Sequence, residues 1–308
     1  MNWGTPALMG YFVLRRYLQA AGAERSVMFA LVSANIVNFL FDWLLVFGKW
    51  GFPAMGTEGA GWSTFLSRVY MAGYLAVVVR QQLKGHRLSW APNFVRVRAL
   101  LALGAPVAGQ MAVEIGVFAL VTTLAGRLGA LTLAGHQIAL TTVSTTYMVP
   151  LGISSAAAVS VGQAMGRRDA QHASRAGWSA IKLGAAVMGA AAVMLLAVPQ
   201  WIARIFSPDP GVIEATSALL RIAAFFQLFD GLQTVATGAL RGLGDTRTPM
   251  LCHLLGYWLI GLPVGAYLCF WQNWGAAGLW AGLSLGLILI GIALTWVWHR
   301  AEQRVNFS

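Results

Sequence analysis

The sequence is a succession of apolar runs of about 20 residues, separated by short polar or basic stretches. A helix needs roughly 20 apolar residues to cross the hydrocarbon core of a bilayer, so each run is a candidate membrane span. We count nine runs, the first of them short. They lie approximately at Trp3–Gln19, Val27–Gly48, Gly59–Val79, Ala99–Gly126, Leu131–Gln163, Ala173–Val198, Ile213–Leu240, Met250–Phe270 and Gly275–Trp298. Because charged residues make up 10% of the chain, against roughly a quarter in soluble domains, we predict an all-α, multi-pass membrane protein.

Basic residues are distributed unevenly between alternate loops. One set of loops carries 15 of the 21 lysines and arginines. These are Arg15, Arg16, Arg25, Arg80, Lys84, Arg87, Arg96, Arg98, Arg167, Arg168, Arg175, Arg241, Arg247, Arg300 and Arg304. The opposite loops carry Lys49, Arg127 and Arg204. By the positive-inside rule the rich set is cytoplasmic, which places the C-terminus on the cytoplasmic side of the cell membrane. Since the basic residues form no single patch, a nucleic-acid partner is not expected.

An internal repeat divides the chain. The motif LRRYLQAAGAERSVM from Leu14 resembles LRGLGDTRTPM from Leu240, as expected for two homologous membrane halves. We therefore predict a partial N-terminal lobe of three helices at 1–80, a basic cytoplasmic linker at 81–98, and a six-helix C-terminal lobe at 99–308. The same comparison predicts that about 128 residues, or three helices, are missing from the front of the first lobe.

The first candidate functional residue is Asp230, which stands within an apolar run of membrane length. An ionisable side chain at that depth costs a few kcal/mol, and such residues usually serve ions, protons or substrates. The helical period places Gln227, Thr234 and Thr237 on the same face. Hydrogen bonding between helices would explain the amide and hydroxyls, but it explains the carboxylate poorly.

The second candidate is Glu114, which shares a helix face with Gln110 one turn earlier. Pro106 is expected to break this helix and to leave carbonyls free to ligate a cation. No basic residue lies within one turn of Glu114 in the sequence to neutralise it. Burial disfavours the charged form of a carboxylate, so protonation or Na⁺ could neutralise Glu114 and Asp230. A Na⁺ site at these two residues is the weakly favoured alternative, and no other metal or cofactor is expected.

A third polar group lies nearer the start of the chain. Asn35, Asn38 and Asp42 fall on one helix face and are expected to line a cavity of the first lobe. For the two asparagines, hydrogen bonding between helices is a serious rival interpretation. His136 and His253 are possible proton relays, although a lone histidine near a helix end is more often a packing residue.

The motifs together resemble the multidrug and toxic compound extrusion (MATE) family, and its NorM-like branch in particular. The resemblance is carried by RRYLQAAG, NFLFDWLLVFG, the Glu114 helix, AGHQIAL, VPLGISSAAAVSVGQAMG, LRGLGDTRTPM and GYWLIGLPVG, and it covers essentially the whole chain. It implies two helical lobes and a cation-coupled antiporter, rather than an enzyme with catalytic residues, that exports amphipathic organic cations. It also implies that Glu114 and Asp230 match the carboxylates of the C-lobe cation site, and that Asn38 and Asp42 match polar residues of the N-lobe cavity. Where some members have a tyrosine one turn before the aspartate, this chain has Phe226.

Three alternatives of other kinds remain. A flippase of lipid-linked precursors, from the same superfamily, would be expected to line its cavity with several cationic residues. A non-transporting remnant is suggested by the short first lobe. The sequence Gly242-Leu243-Gly244-Asp245 spells the GxGD signature of intramembrane aspartyl proteases, but such a protease needs a second, facing carboxylate, and no partner YD motif is present. We expect the partners to be the lipid bilayer and small organic cations, and the protein to be monomeric.

Overall fold

The computed structural model describes residues 4–51, 53–83 and 93–304, which are almost entirely helical. The helices are α1 Thr5–Ala20, α2 Glu24–Val46, α3 Thr57–Gln82, α4 Phe94–Arg127, α5 Ala130–Gly166, α6 Ala170–Ala197, α7 Pro199–Phe206, α8 Pro210–Gly242, α9 Arg247–His253, a π-helical segment Leu254–Gly261, α10 Leu262–Phe270 and α11 Ala276–Arg304. In the described ranges, eight helical stretches are long and apolar enough to cross a membrane. The predicted all-α membrane class is confirmed. The short first run corresponds to α1, whose 16 residues keep it outside the eight.

The chain divides into two compact units, residues 1–91 and residues 92–308. The first unit contains α1, α2 and α3, with α3 packed against both of the others. Tyr11, Leu18, Val27, Ala30 and Leu75 form its buried core. The predicted linker at 81–98 is helical at both ends, since α3 runs to Gln82 and α4 begins at Phe94. Residues 84–92 of that linker lie outside the described residues.

In the second unit α8 is the central helix. It packs against α5, α6, α7 and α11, and most of its residues from Leu219 to Leu240 are buried. The α5 crossing is close because Gly238 has no side chain, and a Cβ there would overlap Ser154. Ser154 Oγ donates a hydrogen bond to the carbonyl oxygen of Thr234 at 2.7 Å, which joins the two helices. The helix that carries Asp230 is therefore surrounded by protein on several sides.

Two prolines lie inside long helices without ending them. The sequence predicts that Pro106 breaks its helix, but α4 continues from Phe94 to Arg127. That expectation is wrong, and α5 likewise runs through Pro150. Membrane helices tolerate proline where neighbouring helices and local backbone adjustments satisfy the carbonyl that loses its N–H partner.

Two elements had no counterpart in the sequence-based prediction. The first is α7, an eight-residue helix between α6 and α8 in a stretch predicted to be a loop. The second is the π-helical segment Leu254–Gly261, which joins α9 to α10 within one membrane-length helix. π-Helical turns are rare and are frequently found at functional sites. This segment carries Tyr257, which is buried beside the polar residues of α8.

Candidate functional site

Asp230 lies in the interior of the second unit, with 5% of its surface exposed. Gln233, one turn further along α8, donates from Nε2 to Asp230 Oδ1 at 2.9 Å. The same amide nitrogen lies 3.4 Å from the hydroxyl oxygen of Tyr257. In the described part of the chain, no lysine, arginine or histidine forms an ion pair with Asp230. A buried carboxylate with a neutral amide donor and no paired cation is suited to receiving a cation.

The residues predicted to share the Asp230 face are buried with it. Gln227, Thr234 and Thr237 are each at most 5% exposed. Gln227 donates from Nε2 to Thr146 Oγ1 on α5. The helix face that the periodicity assigns to these residues is therefore buried in the second unit.

Several oxygen atoms of this stripe have no hydrogen-bond partner among the described residues. They are Gln227 Oε1, Gln233 Oε1, Thr234 Oγ1 and Thr237 Oγ1. Carboxylate, amide and hydroxyl oxygens are the ligands that hard cations prefer. The donor set therefore fits an alkali cation, whereas no group of three or more His, Cys, Asp or Glu side chains that could hold a metal ion occurs in the described ranges.

Glu114 lies on α4, half-buried, and close enough to Asp230 for the two charges to interact. Arg241, in the last turn of α8, is also within electrostatic range of Glu114. No basic residue lies near Glu114 in the sequence, because Arg241 comes from another helix. The hydroxyls of Tyr147 and Tyr257 lie in the same electrostatic environment as both carboxylates. Electrostatic interactions therefore connect both carboxylates with the two phenols, and Glu114 with Arg241.

Gln110 was predicted to accompany Glu114, and its side chain bonds elsewhere. Arg241 donates from Nη2 to Gln110 Oε1 at 2.8 Å, while Gln110 Nε2 lies 3.2 Å from His253 Nε2. His253 Nδ1 lies 2.7 Å from the carbonyl oxygen of Pro249. A chain of hydrogen bonds therefore connects the ends of α8 and α9 through α4.

These hydrogen bonds determine which atoms of His253 and Gln110 donate and which accept. Since a carbonyl oxygen only accepts, His253 carries its proton on Nδ1 and donates to Pro249. His253 Nε2 is then the acceptor for the Gln110 amide group, and Gln110 Oε1 is left to accept from Arg241. A neutral His253 satisfies every contact, whereas a proton on Nε2 would oppose the Gln110 amide donor. His253 therefore acts here as a positioning residue for Gln110 and Arg241.

His136 is also fully used by hydrogen bonds. Thr122 donates its hydroxyl proton to the Phe118 carbonyl at 2.9 Å, so its oxygen accepts from His136 Nε2. Trp280 Nε1 donates to His136 Nδ1 at 3.0 Å. These contacts hold the neutral ring of His136 at the junction of α4, α5 and α11.

In the first unit, the three polar residues predicted to share a face of α2 do not form one hydrogen-bonded group. Asn38 Nδ2 donates to Ser63 Oγ at 3.0 Å, and Ser63 Oγ donates to Asp42 Oδ1. Asn35 instead donates to the carbonyl of Leu31 on its own helix, at 3.0 Å, and is exposed. Asn38 and Asp42 thus join a polar contact between α2 and α3, which Asn35 does not share.

Sequence reasoning missed Gln233, Tyr147, Tyr257 and Ser63 as members of these polar clusters. Gln233 could have been found, because a glutamine three residues from an aspartate on a helix is a known hydrogen-bonding pair. The others contribute from neighbouring helices, so their role depends on which helices pack together. No spacing within a single helix signals it.

The fold and the site together define the class: a multi-pass helical membrane protein with ionisable groups gathered at membrane depth. Such groups mark routes for ions or substrates.

Comparison with known proteins identifies the family. The MatE family model matches residues 106–267. A probable multidrug resistance protein NorM of Mesorhizobium japonicum is 36% identical over 313 residues, which cover 98% of this chain and 67% of that protein. The multidrug resistance protein NorM of Burkholderia vietnamiensis is 36% identical over 301 residues, with 95% and 65% covered. The chain belongs to the MATE family, and it spans about two thirds of the length of these relatives.

Solved structures support the same fold. A crystal structure of a eukaryotic MATE transporter superposes with a TM-score of 0.86 at 21% identity, covering 99% of this chain and 71% of that one. A crystal structure of MATE in the bent conformation gives 0.86 at 17% identity, covering 98% and 67%. The recognition made from the motifs is therefore confirmed at the level of family and fold.

Proposed function

We propose that the protein is a secondary active antiporter that exports amphipathic organic cations in exchange for Na⁺ or H⁺. The relatives named multidrug resistance protein NorM support export of such compounds. The observation that carries the proposal is the carboxylate pair of the second unit. Asp230 is buried without an ion-paired partner among the described residues, and it interacts electrostatically with Glu114.

Exchange follows from competition for this negative charge. Two neighbouring carboxylates repel each other, so binding of a cation to one or both relieves the repulsion and offsets the cost of burial. An organic cation and a coupling cation that both need the free carboxylates bind in alternation. If each also favours a different conformation of the protein, binding of one drives release of the other.

Na⁺ is the favoured coupling ion. The oxygen atoms of Gln227, Gln233 and Thr237 that lack partners stand on the same helix as Asp230. Together with Asp230 and Glu114 they could replace part of the hydration shell of Na⁺, as the backbone carbonyls of unwound helices do in Na⁺-coupled transporters. H⁺ needs none of these additional ligands, so the stripe would be superfluous for proton coupling alone.

Arg241 adjusts the balance of charge at the site. Held by Gln110 at 2.8 Å, it lies within electrostatic range of Glu114. It therefore lowers the net negative charge to which an arriving cation responds. The cluster of the second unit has two carboxylates to one guanidinium, which favours cationic substrates over the phosphate groups that a flippase of lipid-linked precursors would bind.

The location proposed for the protein is the cell membrane, the inner membrane of a bacterium, with the C-terminus in the cytoplasm. The eight membrane-length helices support a multi-pass protein. The excess of basic residues in alternate loops supports the orientation. We propose that it works as a monomer in the bilayer.

The coupling ion is tested by efflux of a fluorescent organic cation from vesicles that contain the purified protein. We expect efflux to fall at least tenfold when choline replaces Na⁺ at constant pH, and to resist a protonophore. Efflux that is unchanged in choline but collapses with the protonophore would assign H⁺ as the coupling ion. Efflux that responds to neither treatment would contradict cation coupling.

A further inference from the structure

A second site lies at the end of the second unit where α6 ends and α8 begins. A cleft of about 620 Å³ opens there between α7 and the first three turns of α8. Its polar lining includes Gln200 and Arg204 of α7, and Glu214 and Arg221 of α8. Asp230 stands nine residues after Arg221, which places the two side chains on opposite faces of α8. The cleft is therefore separate from the carboxylate cluster.

The two arginines are exposed and carry positive charge that the protein does not neutralise by contact. The one ion pair within 4 Å in the described ranges joins His299 and Glu302, near the end of α11. Glu214 therefore pairs directly with neither Arg204 nor Arg221. With two guanidinium groups and one carboxylate, the cleft has an excess of one positive charge.

The depth of Arg221 is unusual for a free arginine. Helix α8 has 33 residues, about 50 Å of helix against roughly 30 Å of hydrocarbon. If the excess length of about 20 Å is shared equally between the two ends of α8, the hydrocarbon begins about 10 Å from Pro210. Arg221 then stands about 6 Å inside it, because eleven residues span about 16 Å. An extended arginine side chain covers a comparable distance, so its guanidinium can reach up to the headgroup layer.

Helix α7 has the form of a membrane-surface helix. Ile202 and Ala203 are buried against the unit, whereas Trp201 and Ile205 are 65% and 64% exposed. Gln200 and Arg204 follow a neighbouring edge of the same helix, one turn apart. An apolar edge beside a polar, basic edge is the pattern of a helix that lies in the interface between headgroups and acyl chains.

We propose that this cleft binds the headgroup phosphate of an anionic phospholipid between Arg204 and Arg221. Guanidinium groups form charge-assisted hydrogen bonds with phosphate oxygens, and Gln200 offers an amide donor beside them. The acyl chains lie along Trp201 and Ile205. Glu214 opposes the anion and limits the affinity. The lipid holds α7 against the start of α8, and so stabilises the end of the helix that carries Asp230.

The test is native mass spectrometry of the purified protein released from mixed phosphatidylglycerol and phosphatidylcholine nanodiscs. We expect the unaltered protein to retain phosphatidylglycerol, and the double variant Arg204→Gln, Arg221→Gln to retain at least tenfold less. Glu214→Gln should retain more than the unaltered protein, because it removes the opposing charge. Arg127→Gln is the matched control, since Arg127 is an exposed arginine at the same end of the unit that does not line the cleft.

Two further arms make the test decisive. The variant Arg204→Lys, Arg221→Lys should recover part of the retention, which a merely misfolded double variant would not. Inorganic phosphate at about 10 mM should leave the lipid bound, and displacement by it would assign the cleft to free phosphate instead. Equal retention by the unaltered protein and the double glutamine variant would overturn the proposal. An equal loss from Arg127→Gln would also overturn it, because retention would then follow overall charge.

Discussion

The hydrogen bonds that hold Arg241 can be tested by replacing Gln110 with leucine. Gln110 is 5% exposed and joins Arg241 to His253 through two hydrogen bonds of 2.8 and 3.2 Å. Leucine is apolar and one bond shorter, and it can neither accept from Arg241 nor donate to His253. Both partners would then lose a contact, and His253 would lose it in a buried place, which is the costly way to break a hydrogen bond.

The size of the effect follows from the two bonds. A hydrogen bond to a charged group contributes about 1.5–3 kcal/mol and a neutral one about 0.5–1.5 kcal/mol. Because Arg241 is only half-buried, water can replace part of its loss, so we expect Gln110→Leu to destabilise the second unit by about 2–3 kcal/mol. For a unit of this size that corresponds to a fall in Tm of roughly 4–12 °C.

The assay is thermal unfolding of the purified protein in detergent, followed by circular dichroism. Gln137→Leu is the control, because Gln137 is exposed on α5 and its replacement should change Tm by less than about 2 °C. Combining Gln110→Leu with His253→Leu should cost less than the sum of the two single changes, because they break the same hydrogen bond. A Tm for Gln110→Leu equal to that of the unaltered protein would refute the proposed positioning of Arg241.

Two further predictions concern contacts between helices. Gly238→Leu should lower Tm markedly, because any side chain at this position overlaps Ser154 and overpacking costs about 1–3 kcal/mol or more. Gly189→Leu, which meets open space, should be tolerated, and equal Tm values for the two variants would contradict the packing described for α5 and α8. Ser63→Ala should destabilise the first unit by about 1–2 kcal/mol, because Ser63 links the two polar residues of α2. Hydrogen exchange in α2 and α3 should therefore become faster than in the exposed control Thr64→Ala, and equal rates would rule out that link.

Much of the architecture follows from the sequence because a membrane restricts backbone structure severely. Only helices and closed barrels satisfy their backbone groups in hydrocarbon, so apolar runs of the required length translate directly into helices. The polar stripe of Asp230 was also readable, since Gln227 and Thr234 repeat at the helical period. Polar residues that repeat at the helical period lie on one face of the helix, and here that face is buried.

Contacts between helices could not be predicted from the sequence in the same way. Arg241, Gln110 and His253 meet because α4 packs against α9 and Gln110 also bonds to the last turn of α8, and no spacing within one helix encodes these contacts. The π-helical segment Leu254–Gly261 was missed because its residues are nearly all apolar and fit an α-helix equally well. The prediction that Pro106 breaks its helix was wrong for a related reason, because whether a proline ends a helix depends on the groups around it.

The proposed exchange site is tested most directly by Asp230→Asn. Asparagine has nearly the same shape and keeps an oxygen that can accept from Gln233, as Asp230 does at 2.9 Å, so the fold should persist while the charge is lost. A unit charge at about 4 Å from a cation is worth about 4 kcal/mol at an effective dielectric constant of 20. That is an upper limit of nearly three orders of magnitude in cation binding. Asp209→Asn is the control, because Asp209 caps the start of the same helix and asparagine caps equally well.

The measurement is organic-cation efflux from vesicles under an imposed Na⁺ gradient, with the helix content and Tm of each variant checked beforehand. We expect efflux by Asp230→Asn to be at least tenfold slower than that of the unaltered protein, at unchanged Tm, and efflux by Asp209→Asn to be normal. Efflux by Asp230→Asn at the unaltered rate would contradict the assignment of this carboxylate to cation exchange.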